Sequence, residues 1–395
     1  MTYATRMKLM KPSAIRETQA LEDDPEVISF CGGYPDPEHF PRAALAEAYQ
    51  IVATSEPLAL QYASSQGDLR LRQQIAERMR KDGVESDERN ILVLQGAQQG
   101  LDLVARFLID AGDVLLTEAP TFLGALLAFN PCEPSYVGVP IDENGLIVEE
   151  LEAALKANPG AKMLYLMPDF QNPTGVTLPL ERRKRIVELA NQYDVFILED
   201  SPYRDIRYTG TNLPTLKQFD TEGRVIFLGS FSKSLAPGLR VGWAVAEPEI
   251  IQHLLQLKQA ADTQTSTLNM RVVSTYLERF DIDQHIAHLR TVYGRKRDLM
   301  LNGLQEHLPS GATFSKAEGG LFTWLELPSH MDSEDFLKKH LVPKGKVAYV
   351  PGVHFFPATG ERPRNFSRIS FSCASEQSIV EGVARLGTVL RDYLR

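Results

Sequence analysis

Cysteine is scarce: Cys31, Cys132 and Cys373 are the three among 395 residues, and they lie far apart. An odd, scattered set offers neither a disulfide framework nor a metal-binding spacing, and it fits a reducing compartment. No apolar run approaches the ~18 residues that a membrane helix needs. The first 26 residues carry basic groups but no apolar stretch of the kind a secretory signal requires. A cytoplasmic protein without a membrane segment is expected. Positive charge is in deficit, with 42 Lys and Arg against 51 Asp and Glu, a net charge of −9. That balance leaves no basic face for nucleic acid. The densest basic run, Arg182 to Arg185, opens a Glu-rich helical stretch and reads as a solvated helix face. His285 and His288 share a helical face but lack nearby Cys or Glu partners, so no metal site is expected. Glycine (27) and proline (24) stay near ordinary levels, which excludes collagen-like and low-complexity chains.

What is present is a long chain with a regular alternation. At about 150 residues per domain, 395 residues make two to three units with a large core. Short apolar runs at 91–94, 114–117, 162–167, 195–198 and 225–228 lack the in–out alternation of half-exposed strands, so they predict strands buried on both faces. Helical patterns at 101–109 and 180–193 lie between them. Strands alternating with helices imply βαβ units and a mainly parallel sheet. From about residue 283 the pattern changes. A charged helix to about 307 is followed by strands at 321–327, 347–350 and 367–371, with helices at 333–340 and 377–394. This reads as a smaller α+β unit, against which the first 40 residues are expected to pack.

Five segments could carry chemistry. Ser230-Phe231-Ser232-Lys233 follows a buried strand, with Arg240 seven residues on. Burial lowers a lysine's pKa and frees a nucleophilic amine, while hydroxyls and a fixed guanidinium suit a phosphate. The same run fits S-x-x-K, but the S-D-N and K-T-G partners of serine–lysine acyl enzymes are missing. Asp200 stands at the end of an apolar strand, where open parallel sheets bind ligands. A carboxylate there can keep a pyridine nitrogen protonated, or simply cap the Asp-x-Pro turn. Tyr203 follows it. Gln171-Asn172-Pro173-Thr174-Gly175 is a turn whose Asn172 offers an amide. Gly96-Ala97-Gln98 opens a helix, whose free N–H groups can meet phosphate. Arg368 lies on a strand, able to clamp a carboxylate or to form a structural ion pair.

Taken in this order, the segments resemble the pyridoxal 5′-phosphate (PLP) enzymes of fold type I, specifically the class I and II aminotransferases, over nearly the whole chain. Ser13 to Glu17 and Ser29 to Pro41 resemble the 2-aminoadipate and kynurenine aminotransferase branch, which also includes the enzyme-like domain of MocR regulators. The resemblance implies an α/β fold with a large PLP-binding domain over residues 41–284. The small domain would take residues 1–40 and 285–395, with an N-terminal segment covering the substrate. It implies Lys233 as the Schiff-base lysine, Asp200 at the pyridine nitrogen, and Tyr203 and Asn172 at the ring hydroxyl. Ser230, Ser232, Arg240 and the backbone of Ala97 and Gln98 would hold the phosphate, and Phe122 would stack on the ring. Tyr62 would reach the phosphate of the other subunit in a homodimer. Arg368 would bind the substrate α-carboxylate, with Gly33 lining the same pocket and Arg16 meeting a distal carboxylate. The implied reaction moves an amino group from an L-amino acid of 2-aminoadipate, aromatic or branched-chain type to a 2-oxo acid such as 2-oxoglutarate, by a ping-pong cycle. Two residues depart from the pattern. Ala97 stands where many relatives have Ser or Thr, and Phe122 replaces a more usual Tyr. A β-lyase on the same fold and a PLP-sensing regulator are the competing readings. The acidic charge and a pattern that begins by residue 13 disfavour the regulator.

Overall fold

The computed structural model describes residues 3–8, 10 and 24–395. A short strand, β1 (Ile28–Ser29), leads in. Among the described residues, eight strands then build the large sheet. They are β2 (Ile91–Leu94), β3 (Val114–Ala119), β4 (Ser135–Asp142), β5 (Gly145–Leu146), β6 (Met163–Leu166), β7 (Phe196–Asp200), β8 (Val225–Ser230) and β9 (Gly242–Val245). Their spatial order is β2-β9-β8-β7-β6-β3-β4-β5. β9 and β5 run against their neighbours, and the other six strands run one way. Every residue of β2, β6, β8 and β9 is buried, because helices cover both faces of the sheet. Their unalternating apolar runs have that cause.

The second sheet is antiparallel. It uses β10 (Thr313–Phe314), β11 (Phe322–Glu326), β13 (Val350–Pro351) and β14 (Phe366–Ser370), in the order β10-β11-β14-β13, whereas β12 (Val347–Ala348) pairs in parallel with β1. The single strand predicted over 347–350 is thus two strands in different sheets, parted at Tyr349. That tyrosine is buried, and its hydroxyl donates to Ser333 O at 2.8 Å. The helix predicted over 333–340 begins as an α-turn, Ser333–Phe336, and widens into a π-helix, Leu337–Gly345, around Pro343, which has no N–H to give the ladder.

The 26-residue helix Ile282–His307 ties the two layers together. Its N-terminal Ile286 packs under the large sheet, while Met300 and Leu304 pack in the core of the small one. Phe30 and Cys31 join that second core.

One sequence expectation fails here. The run at 182–185 is not a wholly solvated face. Arg183 is fully buried and bonds Asp169 Oδ1 at 2.7 Å and the carbonyls of Pro168, Leu178 and Pro214. Arg204 and Arg207 lie on the same carboxylate, at 3.2 and 3.8 Å. Charge patterning saw a Glu-rich helix, but this position faces inward, where a guanidinium is tolerated only when fully paired.

The parallel strands fix where chemistry can sit. Asp200 ends β7, Ser230 ends β8, the Asn172 turn follows β6 and Gly96 follows β2, so their carboxyl ends gather at one edge.

Candidate active site

At that edge a cavity of about 380 Å³ opens against the small sheet. Twelve of the fourteen residues singled out in the sequence line it: Gly33, Ala97, Gln98, Phe122, Asn172, Asp200, Tyr203, Ser230, Ser232, Lys233, Arg240 and Arg368. Tyr62 does not reach it within one chain. It is 80% exposed beside Leu58 and Leu60, which are exposed as well. Arg16 lies outside the described residues.

Lys233 projects into the cavity, and its Nζ donates to Gly33 O at 2.7 Å. Burial, with the cations Arg368 and Arg240 nearby, pulls its pKa down to about 8, so a minor fraction of the amine is neutral near neutral pH and most of it is above pH 8. Gly33 also lets the Phe322 ring come close to the backbone. A Cβ there would stand 2.9 Å from the Phe322 ring.

Asp200 is buried, and burial lifts its carboxyl to about 7. Its Oδ2 accepts from the Tyr165 hydroxyl at 3.0 Å, but among the described residues Oδ1 has no partner. A buried carboxylate oxygen without a donor is costly unless something supplies one. A protonated ring nitrogen is such a donor. Tyr203 borders the same space, with its ring 5.6 Å from Lys233 Nζ. Its hydroxyl bonds the Asn172 side chain, and burial keeps it protonated.

The opposite end of the cavity is built for an anion. Gly96 precedes the helix Ala97–Leu108, with φ 73° and no capping side chain on the first N–H groups. The Arg240 guanidinium occupies the place where a Cβ on Gly96 would stand, at 2.5 Å, and its Nη2 donates to Gln95 O at 2.9 Å. Across from it the Ser230 and Ser232 hydroxyls bond each other at 2.8 Å. Ala97 contributes only backbone here, and the Gln98 side chain turns away to Gly124 O, at 2.7 Å. Phe122 lines the same cavity. Hydroxyls, a guanidinium and a helix N-terminus at one end, an unpartnered carboxylate oxygen at the other, and an amine between them fit PLP.

Arg368 closes the side formed by the small sheet. It is 1% exposed, and its guanidinium carbon lies 4.3 Å from the Phe322 ring centroid and 5.1 Å from that of Phe355. Nη1 donates to Asn172 Oδ1 at 3.1 Å, Nη2 donates to Cys31 O at 2.7 Å, and Nε has no partner among the described residues. Among the described residues this guanidinium has no acidic partner, and its planar fork between the rings could take a carboxylate.

Reading the sequence missed Tyr165 and Glu118. Tyr165 is a tyrosine inside an otherwise apolar strand. A buried phenol needs a hydrogen-bond partner, and that need was the available signal. Glu118 accepts from Met167 N at 3.0 Å and Gln171 Nε2 at 3.3 Å, which anchors the Asn172 turn. Burial raises its carboxyl to about 8. Tyr34, Leu101, Met167, Pro202 and Pro237 also line the cavity, and the sequence reading gave them no role at the site.

Known proteins share this arrangement. The family model described as aminotransferase class I and II matches residues 25–386. The aromatic-amino-acid aminotransferase 1 of Thermococcus litoralis is 41% identical, covering 98% of this chain and 93% of its own. The 2-aminoadipate transaminase of Thermus thermophilus is 38% identical, covering 98% and 95%. Among solved structures, a Pyrococcus horikoshii kynurenine aminotransferase superposes with a TM-score of 0.94 at 37% identity, over 100% of this chain and 98% of that one. With the family model spanning most of the chain and the site geometry in agreement, this protein belongs to the class I and II aminotransferases of fold type I, which work with pyridoxal 5′-phosphate.

Proposed function

We propose that this aminotransferase takes its amino group from L-amino acids with aromatic or branched apolar side chains, and from 2-aminoadipate, and delivers it to 2-oxoglutarate in two half-reactions at one site. The observation that carries the reading is the convergence on one cavity of Lys233 Nζ, Asp200 Oδ1 and the Arg368 guanidinium, the carboxylate oxygen without a donor and the guanidinium without an acid among the described residues. Bound there, PLP supplies an electron sink for the substrate's Cα–H bond. Asp200 Oδ1 would hold the proton on the pyridine nitrogen. Asn172 and Tyr203 would orient the ring through its hydroxyl, and Phe122 would pack on its face. Ser230, Ser232, Arg240 and the N–H groups of Ala97 and Gln98 would bind the phosphate. Arg368 would fix the α-carboxylate so that Cα lies within reach of Lys233 Nζ, which takes up and returns the proton.

The apolar preference follows from what remains. Among the described residues lining the cavity, the cations Lys233, Arg240 and Arg368 already have roles. Tyr34, Leu101, Met167 and Pro237 offer the side chain apolar surface. The names of the Thermococcus and Pyrococcus relatives support aromatic donors, and that of the Thermus relative supports 2-aminoadipate. An acidic donor would need a further cation, for which Arg16 is the candidate. We further propose a cytoplasmic homodimer in which Tyr62 reaches the partner's phosphate. Residues 41–284 would form the cofactor-binding unit, and residues 1–40 with 285–395 the small one. A panel of phenylalanine, leucine, kynurenine, 2-aminoadipate and aspartate with 2-oxoglutarate tests the reading. Turnover with aspartate alone would sink it. Arg16→Ala should weaken kcat/KM for 2-aminoadipate by about tenfold and spare leucine.

A further inference from the structure

The helix Pro248–Asp262 buries a lysine that the reaction leaves unused. Lys258 is 0% exposed. Its Nζ donates to both carboxylate oxygens of Asp262 at 2.9 Å and to Gln99 Oε1 at 3.0 Å. Gln99 Nε2 closes the triangle on Asp262 Oδ2 at 2.7 Å. The ammonium is taken out of water while the Asp262 side chain stays 24% exposed, and a buried charge is tolerated only when its partners satisfy it.

The chain of bonds continues. Gln99 Oε1 also accepts from Gln95 N at 2.9 Å, and Gln95 O accepts from Arg240 Nη2 at 2.9 Å. Gln95 and Gly96 form the bend that leads into the helix at the phosphate end of the cavity. Both faces of the Gln95 backbone are therefore held, one by Gln99 and the other by Arg240. At the far side, Thr263 turns the chain at φ 65°, and Gln264 Oε1 accepts from Ala63 N at 2.5 Å, next to Tyr62.

We infer that Lys258, Asp262 and Gln99 are positioning residues for the cofactor phosphate. They fix the Gln95–Gly96 bend and with it the place of the Arg240 guanidinium. The same turn braces the segment that carries Tyr62. The inference rests on the reading of Arg240 as a phosphate ligand. A lysine one helix away from the cavity then has a reason to be buried: it orients Gln99, and Gln99 orients the bend.

The test measures apoenzyme affinity for PLP and for pyridoxal, which lacks the phosphate. Gln99→Leu leaves the Lys258–Asp262 ion pair itself in place and removes the amide that joins it to the bend. It should raise the Kd for PLP about tenfold, the scale of one charge-assisted hydrogen bond, and leave pyridoxal unchanged. Gln99→Met, of similar length and only a weak acceptor, serves if the leucine variant does not fold. Arg240→Ala is run alongside. If Arg240→Ala weakens PLP selectively and the Gln99 variants do not, or weaken both ligands equally, the inference is overturned. If Arg240→Ala itself fails to discriminate, the phosphate reading fails, and the inference with it.

Discussion

Replacing Asp200 by Asn should make the apoenzyme more stable at alkaline pH while abolishing turnover. The carboxyl is buried, and its pKa stands at about 7 rather than its ordinary 3.8. A raised pKa means that the folded protein keeps a proton that the unfolded chain has released. Stability therefore falls as pH rises from about 4 to about 7, and the full penalty holds above that. At about 1.4 kcal/mol per pH unit, the gap amounts to roughly 4 kcal/mol above pH 8 and roughly 2 kcal/mol at pH 5. An amide never ionises and escapes both costs. Its Oδ1 can still accept from the Tyr165 hydroxyl, and its NH2 takes the place of an oxygen that has no partner anyway. Thermal unfolding of the apoenzymes should thus show Asp200→Asn ahead of the parent at pH 8.5, with the lead shrinking by about half at pH 5. In the PLP-loaded enzymes kcat should fall by about a hundredfold or more, because an amide cannot hold the ring nitrogen protonated. A turn-capping aspartate makes the opposite prediction: Asn substitutes well at a cap, and stability and activity barely move. A variant that is less stable than the parent at both pH values, or that keeps normal turnover, would refute the argument.

Arg368→Lys should lower kcat/KM about tenfold or more for every amino acid donor, since an ammonium lacks the planar fork held between Phe322 and Phe355. Steady-state kinetics with leucine and 2-aminoadipate check that the loss is common to both. Gly96→Ala should weaken PLP binding, because the new methyl would meet the Arg240 guanidinium at 2.5 Å in a backbone region that favours glycine. Equilibrium dialysis reads the change. Tyr62→Phe should raise the PLP Kd by about tenfold without loss of fold, and sedimentation should find the active enzyme dimeric. A fully active monomer would contradict the role given to Tyr62.

The sequence by itself determined the local matters. An apolar run that ends in Asp200, a small-residue loop around Lys233 and the Pro173–Gly175 turn each specify a backbone shape within a few residues, and that shape can be read directly. Buried strands were legible because a sheet covered on both faces demands unbroken apolar runs. The motif order also carried the family. What only the tertiary structure decided was which groups meet. Arg368 bonds Asn172 across 196 residues of chain, Asp36 meets Lys296 across 260, and Tyr165 finds Asp200 only because β6 and β7 lie side by side. Arg183 looked solvated because charge pattern reports composition and not which face a helix turns inward. Lys258 reads as surface, because a lysine on an amphipathic helix with an acid four residues on looks like a solvated pair; its burial depends on Gln99 arriving from another helix to meet that pair. Local sequence sets dihedral angles and apolar period over a few residues. Partners across the fold are set by strand order and helix packing, and those emerge only when the whole core closes.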